Sequence, residues 1–330
     1  MSRNVCVIGG AGYVGAVLVP ELLKAGHRVT VFDLFIYGAE VFDAVKDNAN
    51  LKLVKGDVRT ISSVEAALKG CDAVIHLACI SNDPSFELDP QLGKSINLDS
   101  FRPIVRAAKA AGVKRFVFAS SSSVYGIKEG VEVTEDLSLE PLTDYSRFKA
   151  MCEDILAEER APGFVTCVLR PATVCGYSPR QRLDVIVNIL TNHAVHLGKV
   201  KIMGGAQLRP NVHIEDMCRA YLLSLELPDD AVDGTCFNVG ERNHSVAKLA
   251  EIVQSNVGPH VTAETVPTND NRSYHVSSER IRQAWGFTPR YSIDDAVKGL
   301  VGAFAAGKLP DAMSHPRYFN IKRMQELKLS

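Results

Sequence analysis

The sequence predicts an α/β fold: a doubly wound parallel sheet with a smaller, discontinuous C-terminal domain. Three observations predict it. Short β-branched runs alternate with helical patterns through the first half of the chain, most of those runs are apolar throughout, and a glycine-rich turn joins the first run to the first helical stretch. Strands covered on both faces read as near-continuous hydrophobicity. Strand–helix alternation implies right-handed crossovers between parallel strands.

The elements follow in order. Strands are predicted over 5–8, 28–32, 51–55, 73–76, 115–119 and 166–170, with helices over 13–25, 61–69, 92–111 and 145–159. Beyond Gly176 glycine, proline and asparagine punctuate the pattern. Helices are expected there over 183–193, 215–225, 245–256, 278–285 and 293–306, and residues 236–239 read as one more strand returning to the sheet. The expected domains are therefore 1–175, with a returning strand near 236–240, and 176–330.

Bulk properties narrow the function. At 330 residues the chain exceeds one usual domain. A formal net charge of -1, with acids and bases interspersed, gives no field to draw nucleic acid or an anionic membrane. The N-terminus lacks a signal-peptide pattern, and no stretch approaches the ~18 apolar residues of a membrane helix. The eight cysteines are dispersed without a C-x-x-C pair, so they read as reduced thiols of a cytoplasmic protein and no metal site is expected.

Gly9-Gly10-Ala11-Gly12-Tyr13-Val14-Gly15 follows the first strand and opens the first helix. Glycine lets the backbone turn sharply and approach a pyrophosphate, which then sits on the helix N-terminus. Asp33 ends the second strand, where a carboxylate either accepts from the hydroxyls of an adenosine ribose or caps a turn. It would repel a 2′-phosphate, and no arginine follows at Leu34, Phe35 or Ile36, so NAD is favoured over NADP. Asp57, after the third strand, either meets the adenine edge or caps the helix that follows.

Tyr145 and Lys149 lie four residues apart and so share one helix face. A free phenol, with a pKa near ~10, is a poor base at neutral pH. Making it a hundredfold more acidic needs roughly 2.7 kcal/mol. The ammonium of Lys149 and a positive nicotinamide both favour the phenolate. Ser120 to Ser123 follow the fifth strand, at the carboxyl end where ligands of such sheets bind, and a serine there can share a proton with the phenol.

Taken together, Gly9/Gly12/Gly15, Asp33, His76-Leu77-Ala78, the segment from Ser121 to Gly126, and Tyr145/Lys149 resemble the extended short-chain dehydrogenase/reductases, of the sugar-nucleotide epimerase and dehydratase type. The resemblance covers nearly the whole chain. It implies a Rossmann domain that binds NAD through Gly9, Gly12, Tyr13, Val14, Gly15, Asp33, Asp57, Val58, Leu77, Ala78, Tyr145 and Lys149. It implies Ser121, Tyr145 and Lys149 as catalytic residues, with Asn97 ordering the region. For a nucleoside-diphosphate sugar it implies Ser122, Ser123, Asn188, Arg209 and Arg272, with Arg180 and Arg182 as weaker candidates. It also implies a homodimer, paired through helices 92–111 and 145–159. Two positions depart from the family pattern. Ser122-Ser123 replaces the Asp-Glu pair with which dehydratases expel water, and Ile8 replaces a threonine before the glycine turn.

The resulting expectation is an NAD-dependent sugar-nucleotide epimerase that transiently oxidises carbon 4 of a hexose. A 4-dehydrogenase, a 4-keto reductase and an oxidative decarboxylase would use the same three residues. A non-catalytic NAD-sensing scaffold is opposed by the intact Ser121, Tyr145 and Lys149. Cys79 and Cys175 read as packing or as a catalytic thiol, His193 and His196 as a solvated helix face, and Trp285 as core.

Overall fold

The computed structural model describes residues 2–81, 83–128, 130–268, 273 and 275–328. Seven parallel strands form the central sheet: β1 (Asn4–Ile8), β2 (Arg28–Asp33), β3 (Leu51–Lys55), β4 (Ala73–His76), β5 (Arg115–Ala119), β6 (Val165–Pro171) and β7 (Thr235–Val239). Their spatial order is β7-β6-β5-β4-β1-β2-β3. The winding reverses between β1 and β4, and the crevice beyond their carboxyl ends is where ligands of open α/β sheets bind.

Alternate side chains of the strands feed two different cores. Val5, Val7, Val29, Val31, Ile75, Val117 and Leu169 face one way. Cys6, Ile8, Phe32, Val74, Phe116 and Phe118 face the other. Burial on both faces explains why these strands lack polar alternation. The first core also takes Ile214, Met217, Cys218 and Tyr221 from the helix Ile214–Glu226, and Trp285 from the helix Glu279–Trp285. Both of these helices, from within the range 176–330, thus pack against the sheet. The second core also takes Met324, from the C-terminal helix Asn320–Leu327.

A separate core joins the helices Ile186–Leu197, Val246–Val257 and Ile293–Ala305 through Val187, Leu190, Leu249, Val253 and Val297. The strands Thr173–Cys175, Leu208–His213 and Asn243–Ser245 form a small sheet, and Lys199–Met203 pairs with Thr262–Val266. Leu208–His213 changes partner after Pro210, from Asn243–Ser245 to Thr173–Cys175. The proline therefore sits at a break between ladders, where a missing N–H is tolerated.

The helix expected over 92–111 is instead interrupted. Pro90–Lys94 and Phe101–Ala110 are α-helical, and Ser95–Asp99 between them forms a wider π turn, with the Ser100 N–H bonded to the Ser95 carbonyl at 3.2 Å. The cause is Asn97. Its side chain accepts from the Ile80 N–H at 2.8 Å and donates to the Ile80 carbonyl at 3.0 Å, pinning the loop after β4. Its own carbonyl turns to accept from the Cys152 thiol.

All eight cysteines are free thiols. Among the described residues no helix is long and apolar enough to cross a membrane, and no group of His, Cys, Asp and Glu is arranged to hold a metal ion.

Candidate active site

One cavity of about 560 Å³ lies at the switch point. The glycine turn forms part of its wall. At Gly9, where φ is +81°, a Cβ would stand 2.4 Å from the Ala78 nitrogen, and at Gly15 one would stand 2.1 Å from the Gly10 carbonyl oxygen. Only glycine allows β1, the loop after β4 and the helix Gly15–Lys24 to approach so closely. No side chain caps that helix at Val14, so its N-terminus is open to an anion.

Gly9, Gly12, Tyr13, Val14, Gly15, Asp33, Val58, Leu77 and Ala78 all line the cavity. The Asp33 carboxylate accepts from the N–H groups of Ala11 at 2.9 Å and Phe35 at 2.7 Å. It thus anchors the glycine turn as well as facing the cavity. Burial pushes its pKa up, against the pull of those N–H groups and of Arg180. Asp57 is the exception in this group. Its carboxylate turns away to Arg59, at 2.6 Å from a guanidinium nitrogen, which holds its pKa down; it neither lines the cavity nor caps the helix Ile61–Leu68.

Ser121, Ser122, Ser123, Tyr145 and Lys149 line the same cavity. Tyr145 and Lys149 stand on the helix Asp144–Glu158, fixed at its start by a reciprocal Thr143–Ser146 cap. Lys149 is buried, its Nζ donating to the Ala119 carbonyl at 2.6 Å and lying 6.0 Å from the Tyr145 ring centroid. Ser121 Oγ accepts from the Ser123 N–H at 3.1 Å and lies 2.9 Å from Ser123 Oγ. Beneath it the Ser120 hydroxyl donates to Glu153, which forms a buried bidentate pair with Arg170; Arg170 also donates to the Tyr125 oxygen at 2.6 Å. The sequence reading missed this support, since its members come from three separate elements.

Of the residues expected to hold a sugar nucleotide, Arg209 lines the cavity and donates to its neighbour's carbonyl at 3.1 Å. Asn188 does not reach it. Fully buried, it accepts from the Gly176 N–H and donates to the Tyr13 hydroxyl and the Arg182 carbonyl, so its amide is consumed within the wall. Arg272 lies outside the described residues. Arg180, Arg182, Tyr37 and Asn320 also line the cavity. The last two carried no motif. Cys79 is on the wall as well, whereas Cys175 is wholly buried, and burial pushes its thiol up.

A glycine turn opening onto a bare helix N-terminus, an acid at the end of β2 and a Ser/Tyr/Lys cluster within one cavity define a dinucleotide-dependent oxidoreductase. The residues present fit NAD. The model of the NAD dependent epimerase/dehydratase family matches residues 5–240. The chain is 31% identical over 320 residues to a UDP-glucose 4-epimerase of Lactobacillus helveticus, covering 89% of this chain and 94% of that one. Among solved structures it is similar to a UDP-glucose 4-epimerase of Thermotoga maritima, solved with UDP-glucose (TM-score 0.82, 26% identity, 92% and 99% covered). It is likewise similar to MoeE5 in complex with UDP-glucuronic acid and NAD (TM-score 0.78, 28% identity, 92% and 99% covered). The chain belongs to the NAD-dependent epimerase/dehydratase family, extended short-chain dehydrogenase/reductases of the sugar-nucleotide epimerase type. It is an NAD-dependent enzyme.

Proposed function

We propose that this enzyme is a sugar-nucleotide 4-epimerase working through Ser121, Tyr145 and Lys149. The observation that carries the reading is the shared cavity: a serine, a tyrosine and a buried lysine cation line the same space as the glycine turn. The relatives that are UDP-glucose 4-epimerases support the same reaction.

NAD bound in this cavity supplies a hydride acceptor that can also return the hydride. The Tyr145 phenolate takes the proton of the sugar's 4-hydroxyl, directly or through Ser121. Lys149, buried and held by the Ala119 carbonyl, favours the phenolate by its charge and presents donors to the nicotinamide ribose. Ser121 keeps the reacting oxygen within reach. The 4-keto sugar turns over, and Tyr145 returns the proton after hydride reaches the opposite face. Ser122 and Ser123 contact the sugar and Arg209 and Arg272 the diphosphate, since guanidinium forks suit phosphate oxygens. Serines at 122 and 123 supply no acid–base pair for dehydration.

We further propose an NAD-binding domain over 1–175 with a returning strand near 236–240, a sugar-nucleotide domain over 176–330, and a cytoplasmic homodimer paired through the helices Phe101–Ala110 and Asp144–Glu158. The family resemblance supports each.

Proton NMR in deuterated water on UDP-glucose, UDP-galactose, UDP-glucuronic acid and related sugar nucleotides tests the reaction. The expected result is interconversion of a 4-epimer pair without deuterium uptake and without accumulation of NADH. Net NADH, carbon dioxide release, or deuterium beside the carbonyl would each replace this reading with another oxidation.

A further inference from the structure

We infer that Arg180 binds the diphosphate of the cofactor, and that Asn320 on the C-terminal helix is its positioning residue. Arg180 is 3% exposed and lines the cavity. Its guanidinium lies 3.5 Å from the Tyr37 ring centroid, Nη2 donates to Asn320 Oδ1 at 2.5 Å, and Nη1 reaches the Gln181 carbonyl at 3.3 Å. Among the described residues Nε has no hydrogen-bond partner and no carboxylate forms an ion pair with this side chain, although Asp184 and Asp33 act on it through longer-range electrostatics. The adjacent Arg182 differs: it pairs with Asp184 at 2.9 Å, though its Nη2 is also unpartnered. A buried cation with no carboxylate in contact is stabilised when an anion reaches it. Here the wall is open to a ligand that carries a negative charge.

Position decides which anion. Tyr37, under the Arg180 guanidinium, follows the ribose acid Asp33 by four residues, and the field of Arg180 acts on both Asp33 and the Tyr13 hydroxyl of the glycine turn. The loop that carries Arg180 is hydrogen-bonded to the glycine turn, the Tyr13 hydroxyl donating to the Gly176 carbonyl at 2.6 Å and the Ser178 hydroxyl to the Tyr13 carbonyl at 2.8 Å. A helix end and a guanidinium, both favourable to an anion, thus line one cavity.

Asn320 fixes that arginine by joining three loops. Its Oδ1 accepts from the Tyr37 hydroxyl at 3.1 Å as well as from Arg180, its Nδ2 donates to the Ser81 hydroxyl at 2.9 Å, and its N–H donates to Asp184 at 2.9 Å. Arg323, one turn further on, donates to the Ile36 carbonyl at 2.8 Å. The C-terminal helix thus holds the loops after β2, after β4 and after Thr173–Cys175 in one register around the cofactor. The assignment concerns cofactor retention and stands whichever sugar carbon is oxidised.

The test uses the full chain freed of cofactor, with NADH, adenosine and UDP as probes in separate fluorescence or calorimetric titrations. Arg180→Gln is expected to weaken NADH binding roughly 10- to 100-fold, while adenosine and UDP change less than about threefold. Arg180→Lys, which keeps the charge and loses the fork, provides the same comparison should the glutamine variant not fold. Asn320→Ala is expected to weaken NADH about three- to tenfold with adenosine unmoved, and Asn320→Asp, which hands Arg180 an internal counter-charge that competes with the diphosphate, to weaken it at least as much. Unchanged NADH affinity in the Arg180 variants overturns the inference. So does a loss confined to UDP, which would give the arginine to the substrate, or an equal loss for NADH and adenosine, which would make it a scaffold residue.

Discussion

Lys149 Nζ donates to the carbonyl oxygen of Ala119 at 2.6 Å, binding the helix that carries Tyr145 to the end of the strand that leads into Ser121. The lysine is buried, with Nζ 4.9 Å from the Phe118 ring centroid. Its charge is therefore fixed in position relative to the phenol instead of sampling solvent.

Tyr145→Phe removes the proton acceptor while keeping the ring. It is expected to lower kcat by about 10²- to 10⁴-fold with the melting temperature nearly unchanged. Steady-state epimerisation rates beside a thermal melt check this.

Lys149→Met withdraws a cation from beside the phenol, so more alkaline solution is needed to ionise it. Activity is expected to fall at neutral pH and the acid limb of the kcat profile to move to higher pH. A profile unmoved along the pH axis would leave the lysine with only its ribose contact.

Glu153→Gln leaves Arg170 buried without its counter-charge. Unpairing a buried ion costs roughly 3–5 kcal/mol. The loss should appear in urea unfolding, and activity should fall with it because the broken pair with Arg170 lies directly under the serine loop, although glutamine keeps an oxygen that accepts from Ser120.

His76 is buried against Phe101 and Phe118, neither ring nitrogen has a hydrogen-bond partner among the described residues, and desolvation pushes its pKa down to about 3. The unfolded chain binds this proton near pH ~6.5, whereas the folded chain does so only near 3. Its contribution to stability is thus complete above pH 6.5 and is lost progressively as the pH falls toward 3. His76→Leu should flatten that part of the pH–stability curve, and denaturant titrations of both proteins between pH 4 and 8 measure the difference.

The sheet was legible because burial on both faces leaves one strong signature in most of its strands; the edge strand β3, with Lys52, Leu53 and Lys55 exposed, is the exception. The expected bounds of β1 to β7 agree with the observed ones to within one or two residues. The site was legible in part for a related reason: the glycine turn, Asp33, Ser121, Tyr145 and Lys149 lie in short local motifs beside those strands. What escaped depends on contacts distant in sequence. The π turn at Ser95–Asp99 follows from Asn97 reaching Ile80, and Asn188 is consumed by Tyr13, 175 residues away. The strand Leu208–His213 was obscured by Pro210, harmless only because the ladder changes partner there. Asn320 lies in a short polar helix whose relation to the cavity exists only in three dimensions.

The last strand of the central sheet, β7, is drawn from residues 235–239, after the chain has already contributed helices and strands elsewhere. A polypeptide emerging from the ribosome therefore displays β6 with one flank unzipped for more than sixty residues of synthesis. Exposed edges of apolar strands recruit other chains. Truncations ending anywhere short of Val239 should accordingly deposit as insoluble material, so this dinucleotide fold is not separable by simple trimming at its carboxyl side.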